Sequence, residues 1–255
     1  MPNDAPKHEL AGEHPALAGA PGGAQTADTP GGDPVRCGSE HGLREGAGSG
    51  GADPRDTRPG NATRFLETAR GVLSYAELAP LLAERVALAE LALYEQEAFA
   101  GSKLDEELLL GLHRRIAGDL VPEWAGRWRD IVVTVGRLEP PPPFQLPMLM
   151  RDYALDLQAR WPGASSDQGG QLLEFLAFAE GRFLTIHPFR DFNGRTVRVF
   201  LLEILRRLDL PRVELAPQTD AGRAGYFDAL EAADRHDWHP LMAIWQRRLA
   251  EAQSD

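Results

Sequence analysis

From about residue 62 the chain sets apolar runs at helical spacing between short polar breaks. Leu82, Val86, Ala89 and Leu93 recur three or four apart, giving one face of a helix that Ser74 caps and that runs to about Phe99. Pro80 falls near its first turns, where a missing amide matters least. Ser102 with Asp105 resembles a capping box for a second helix through about Ile116, which Gly118 ends. The same periodicity predicts helices over about 147–161, 169–186, 194–208, 221–234 and 239–252. Between the second and third of these seven helices lies VPEWAGRWRD, rich in turn residues, and then IVVTV at 131–135. IVVTV is β-branched and short, so it reads as a strand. GRLEPPPP supplies a turn, and PFQL returns as a second short strand. The expected fold is all-α, a helical bundle with one small β-hairpin flap and no internal repeat.

Residues 1–60 have a different composition. They hold 13 of the 26 glycines and 8 of the 20 prolines, with no Phe, Trp or Tyr. Such a segment buries too little apolar surface to offset its ordering entropy, so the expectation is disorder over 1–60 and a folded domain over 61–255. Gly46, Gly48 and Gly51 match G-x-G-x-x-G, but no strand precedes them and no helix follows. The glycosylation sequon Asn61-Ala62-Thr63 has no secretory signal beside it.

Charge narrows the function. A net charge of −11 argues against coating nucleic acid, although a local basic pocket remains compatible with it. No apolar run is long enough to span a membrane. Cys37 is the only cysteine, so neither a disulfide framework nor a cysteine-based zinc site is expected within the chain. These features point to a cytoplasmic protein without membrane or nucleic-acid partners.

The densest chemistry lies in HPFRDFNGRTVR, residues 187–198. The apolar helix before it delivers His187 into a loop, where Pro188 stops the helix and Phe189 anchors to the core. A new helix opens near Gly194, with Val197, Phe200, Leu201, Ile204 and Leu208 as its apolar face. Its N-terminus offers unbonded amides and the positive end of a dipole, which suit an anion. Arg195 and Arg198 are three apart and add fixed charge. Asp191 is one hard oxygen ligand of the kind Mg²⁺ takes beside a polyphosphate. His187 can take a proton near neutral pH. Base, metal ligand, anion cradle and charge clamp together suit transfer of a phosphorus-containing group to a hydroxyl. Each feature alone has a plainer reading: a helix-ending His, an Asx turn, a solvated pair of arginines.

These residues resemble the Fic family signature HPF-x-[DE]-G-N-G-R-x-x-R. The match covers His187, Pro188, Phe189, Asp191, Asn193, Gly194, Arg195 and Arg198, and departs at Phe192. The resemblance extends over roughly 60–252. It takes in LLLGLHRRIAGDLVPEWAGRWR, IVVTVGRLEPPPPFQLP as the flap, and YFDALEAADRHDWHPLMAIW. It implies a Fic-like helical bundle that transfers AMP from ATP to a Ser, Thr or Tyr hydroxyl of a target protein, with Mg²⁺. His187 would be the base and Asp191 the metal ligand. Asn193 and Gly194 would line the phosphate cradle beside the amide of Phe192, and Arg195 and Arg198 would contact the outer phosphates. Tyr226, Phe227 and Asp234 align with positions near the nucleoside in some members. The target would add a strand to the flap at about Val133–Val135. The PPPP run at 140–143 reads either as the flap turn or as a polyproline ligand.

Phe192 sets the alternatives. Glycine there takes positive φ without strain, whereas phenylalanine resists it and adds bulk. The expectation is altered nucleotide pose, donor choice or rate, with Phe192→Gly tightening nucleotide binding or raising the rate. The competing readings are a phosphotransferase or a transferase of another donor, and an inactive Fic fold serving as an interaction module. Restraint by a helical [ST]-x-x-x-E-[GN] glutamate is matched only in part, by Thr63…Glu67 and Ser102…Glu106. A separate antitoxin-type partner is the other route to restraint for a toxin-like member.

Overall fold

A computed structural model describes residues 65–95, 99, 101–165 and 170–253. The expected disorder over 1–60, the glycine pattern at 46–51, the sequon and Cys37 lie outside the described residues. Among the described residues the chain forms two strands, β1 (Phe65–Thr68) and β2 (Gly71–Ser74), and seven α-helices. These are α1 (Tyr75–Glu95), α2 (Glu106–Ala117), α3 (Leu146–Ser165), α4 (Gln171–Ile186), α5 (Asn193–Arg207), α6 (Asp220–Asp234) and α7 (His239–Ala252). No described helix is long and apolar enough to cross a membrane.

α4 is apolar on nearly every face because it is surrounded, with α3, α5, α6 and α7 packed around it. Gly181 allows the closest of these approaches. A Cβ there would meet Trp238, Ala233 and Leu241 at 2.8–2.9 Å. α5 packs against α1, α2 and α4.

The helical expectation holds, with local shifts. Ser74 and Glu77 form a full capping box for α1: the Ser74 amide donates to Glu77 Oε2 (2.8 Å) and the Glu77 amide to Ser74 Oγ (3.3 Å). At α2 the cap is Asp105 itself, whose carboxylate accepts the Leu108 amide (3.1 Å). Ser102 lies outside the helix; its hydroxyl donates to the Phe99 carbonyl.

The β structure is a correction. The hairpin is β1–β2, paired Phe65↔Ser74 through Thr68↔Gly71, ahead of the first helix. IVVTV is not a strand: in 131–146 one bridge pairs Val135 with Leu138, and Pro143–Gln145 is a single 3₁₀ turn leading into α3. Four consecutive prolines remove the amide donors that a returning strand needs, so no ladder can close there. Pro140 is buried and Pro142 is extended (φ −62°, ψ 150°), so the turn falls at Gly136–Arg137 and the proline run only leads from it to α3.

Candidate active site

The loop from His187 to Phe192 is bounded by two left-handed residues. His187 ends α4 at φ 50°, ψ 62°, and Phe192 opens α5 at φ 63°, ψ 15°. Histidine is among the residues that tolerate this region; phenylalanine is not. What holds Phe192 there is its ring. The side chain is 3% exposed, 5.7 Å from the Trp124 ring and 6.3 Å from His113 between centroids. The phenyl ring sits in the core, and only the Phe192 backbone belongs to the loop. Its carbonyl accepts the amides of Arg195 and Thr196 and the Thr196 hydroxyl, which starts α5. Replacing it by glycine removes about 1–2 kcal/mol of left-handed strain but costs about 3–5 kcal/mol of buried ring. We expect Phe192→Gly to lose about 2 kcal/mol of stability in urea melts, with nucleotide affinity by calorimetry unchanged.

Asn193 is buried, and its side chain is committed to the loop. Its Oδ1 accepts the Phe189 amide and its Nδ2 donates to the Phe189 carbonyl, both at 2.9 Å. Those two bonds shape the loop before α5. The backbone amides of Asn193 and Gly194 precede the first intrahelical bonds of α5, at the helix end whose dipole suits an anion. A Cβ on Gly194 would meet nothing within 4 Å, so the space above it is open. Arg195 is half-buried and Arg198 exposed, on one side of the first two turns.

The His187 Nδ1 lies 3.3 Å from the Leu184 carbonyl, which can only accept, so in the neutral ring Nδ1 carries the proton and Nε2 the lone pair. Asp191 accepts the Phe192 amide at Oδ1 (2.7 Å). Among the described residues no three His, Cys, Asp or Glu side chains cluster to hold a metal by themselves. A single carboxylate fits Mg²⁺ that arrives with a polyphosphate, since that ion usually takes one or two carboxylates and fills its shell with phosphate oxygens and water.

The residues expected near a nucleoside are otherwise engaged. The Tyr226 hydroxyl donates to buried Glu180 (2.7 Å), and burial, then Glu180, pushes its pKa well up. Asp234 accepts the Thr185 hydroxyl (2.7 Å), and Phe227 is in the core. Of the partial glutamate matches, Glu67 is an exposed residue of strand β1 and Glu106 stands in the first turn of α2. Thr63 lies outside the described residues.

Two functional neighbours escaped the sequence reading, and both involve VPEWAGRWRD. His113, fully buried on α2, accepts the Gly126 amide at Nδ1 (2.8 Å) and donates from Nε2 to the Asp191 carbonyl (3.2 Å). Its ring stacks on Phe189 at 3.8 Å. The Gly126 position requires glycine: φ is +66° and a Cβ would press on Arg114 and the Leu110 carbonyl at 2.8–2.9 Å. The signal available in the sequence was a histidine beside the apolar stripe of LLLGLHRRIA. The second is Arg129, 2% exposed. Its guanidinium donates to the carbonyls of His187 (2.8 Å), Ile131 (2.9 Å), Pro141 (2.6 Å) and Ile186 (3.4 Å). Its amide donates to Pro188 (2.8 Å).

Burial lowers the His113 pKa from 6.5 to about 4. The folded state keeps the ring neutral while the unfolded chain takes a proton below pH 6.5. His113 therefore favours folding fully above that pH, and the benefit falls by about 3 kcal/mol as pH drops towards 4. Urea melts at pH 7 and 4.5 should show that slope, and His113→Asn should flatten it. An equally steep variant would remove His113 as the cause.

The site thus joins a histidine loop to a helix N-terminus flanked by two arginines. Residues 103–205 match the model of the Fic/DOC family. It is 34% identical over 134 residues to "Protein adenylyltransferase fic-1" of Caenorhabditis elegans and 32% over 134 residues to "Protein adenylyltransferase Fic" of Drosophila persimilis. Each match takes in 52% of this chain but 25% of the relative, so the chain spans about a quarter of the curated relatives' length. Among solved structures, the BepC effector of Bartonella tribocorum with bound AMPPNP superposes at TM-score 0.55 and 17% identity, covering 74% of this chain and 93% of that one. That likeness shows the fold.

Proposed function

We propose that this chain transfers AMP from ATP to a hydroxyl side chain of a target protein. The observation that carries the reading is the His187 loop: Nδ1 is held on the Leu184 carbonyl and Nε2 bears the lone pair, in the loop that ends on the N-terminus of α5. The relatives named protein adenylyltransferase, about one third identical across this region, support it.

In the reaction, Nε2 of His187 takes the proton of the target hydroxyl. That oxygen forms a bond to the α-phosphorus of ATP, the bond from that phosphorus to its bridging oxygen breaks, and pyrophosphate leaves. The Asn193 and Gly194 amides, the α5 dipole, Arg195 and Arg198 stabilise the negative charge on the phosphates. Asp191 is the residue to hold Mg²⁺, which when bound neutralises phosphate charge. The target backbone lies along 131–135, where Ile131, Val132 and Thr134 are exposed and, among the described residues, only Val135 has a ladder partner.

The test is to incubate the full chain with Mg²⁺, lysate and ATP labelled at the α or the γ phosphate. Label transferred from the α position supports AMP transfer. Transfer from the γ position would make the protein a phosphotransferase. No transfer from any nucleotide would make it an inactive Fic-fold module.

A further inference from the structure

Arg129 is a charge in the interior whose cost the fold alone does not explain. Moving a guanidinium out of water costs several kcal/mol unless its donors are met. Among the described residues no carboxylate pairs with it; its four side-chain partners are all backbone carbonyls. Two of them, Ile186 and His187, are the last carbonyls of α4, where the negative end of the helix dipole favours a cation. The other two, Ile131 and Pro141, stand at the two ends of the flap. A planar fork of five donors reaches three chain segments at once, which the single ammonium of lysine cannot do. Burial lowers the Arg129 pKa to about 10, so the group stays a cation at neutral pH.

We infer that Arg129 is a positioning residue that locks the flap and the His187 loop into one mechanical unit, so that a target chain docked on the flap is held in register with the base. The inference rests on the proposed role of His187. A neighbouring contact joins the same two segments: Arg190 Nε donates to Asp130 (2.9 Å). Both of those side chains reach solvent, and exposed ion pairs contribute little. The coupling therefore belongs to Arg129, with Asp130 as the built-in control.

Two measurements test this on the full chain. The first is hydrogen exchange of the wild-type protein in mild urea. The hydrogen-bonded amides of Val135 and Leu138 in the flap and of His187 and Phe189 in the loop should open together, with one free energy, as a single unit. Independent opening of the two segments overturns the inference whether or not the protein transfers AMP, and whether or not any variant folds. The second compares Arg129→Lys with Asp130→Asn. Arg129→Lys should speed exchange in both segments but leave α7 unchanged. It should lower kcat/KM for the protein target by about 10²-fold, as expected for a misplaced reacting group, with KM for ATP unchanged. Asp130→Asn should leave exchange and kinetics at wild-type values. An equal loss in both variants, or a loss confined to ATP affinity, counts against Arg129 as the link. A wild-type chain without transferase activity would refute the proposed reaction and leave the exchange result to decide the coupling.

Discussion

Replacing His187 by alanine is expected to reduce transfer by about 10²–10⁴-fold, the usual contribution of a positioned general base. The loss should fall on kcat and on kcat/KM alike, because the proton moves only in the transition state. Nucleotide affinity should persist: the α5 amides, Arg195 and Arg198 are untouched. The loop should also persist, since Arg129 grips the His187 carbonyl and the Arg129 amide grips Pro188, both through backbone that alanine retains. An alanine variant that transfers label at the wild-type rate would remove His187 from the mechanism. One that loses nucleotide binding would show that the ring lines the cradle rather than acting as base.

The second large effect concerns stability. Glu180 on α4 is 1% exposed and receives Arg248 of α7 at Oε2 (2.9 Å) and the Tyr226 hydroxyl at Oε1 (2.7 Å). Arg248 also donates to the Leu215 carbonyl (2.7 Å), and its guanidinium lies 4.8 Å from the Trp245 ring centroid. Burial works against the Arg248 charge, yet Glu180 and Tyr226 hold its pKa above the usual value. Removing the cation alone strands a carboxylate in the core, at a cost of about 3–5 kcal/mol. Arg248→Met should show that loss in urea denaturation, while the double variant Glu180→Leu/Arg248→Met should recover most of it. A double variant no more stable than the single one would mean that packing around Arg248, not the stranded charge, sets the cost.

The helices were legible because each carries a core stripe at helical spacing. α4 and α5 were read to within one or two residues for that reason. IVVTV misled because β-branching reports only a fit to a pleated surface, and four prolines deny this segment a partner. The real hairpin escaped because FLET and GVLS are four residues each and largely exposed, too short for alternation to register. His187, Asp191 and Gly194 were legible as types at a spacing. Phe192 was legible as an oddity, but its outcome depended on Trp124 and His113, far away in sequence. Arg129 carried no local signal at all. Its meaning lies in carbonyls 57 and 58 positions further on, and carbonyls look alike in every residue.

The closed ring that Asn193 makes with Phe189 bears on how an anion would bind. Two hydrogen bonds at 2.9 Å join one side chain to both polar groups of a single peptide residue. The conformational entropy of residues 189–193 is therefore surrendered when the chain folds, before any ligand arrives. A phosphate meeting the α5 amides finds them already aligned, so its affinity is not diminished by ordering the loop that receives it. An isosteric aspartate at 193 could still accept the Phe189 amide but could not donate to its carbonyl. The loop would regain freedom, and that freedom would have to be quenched at every binding event.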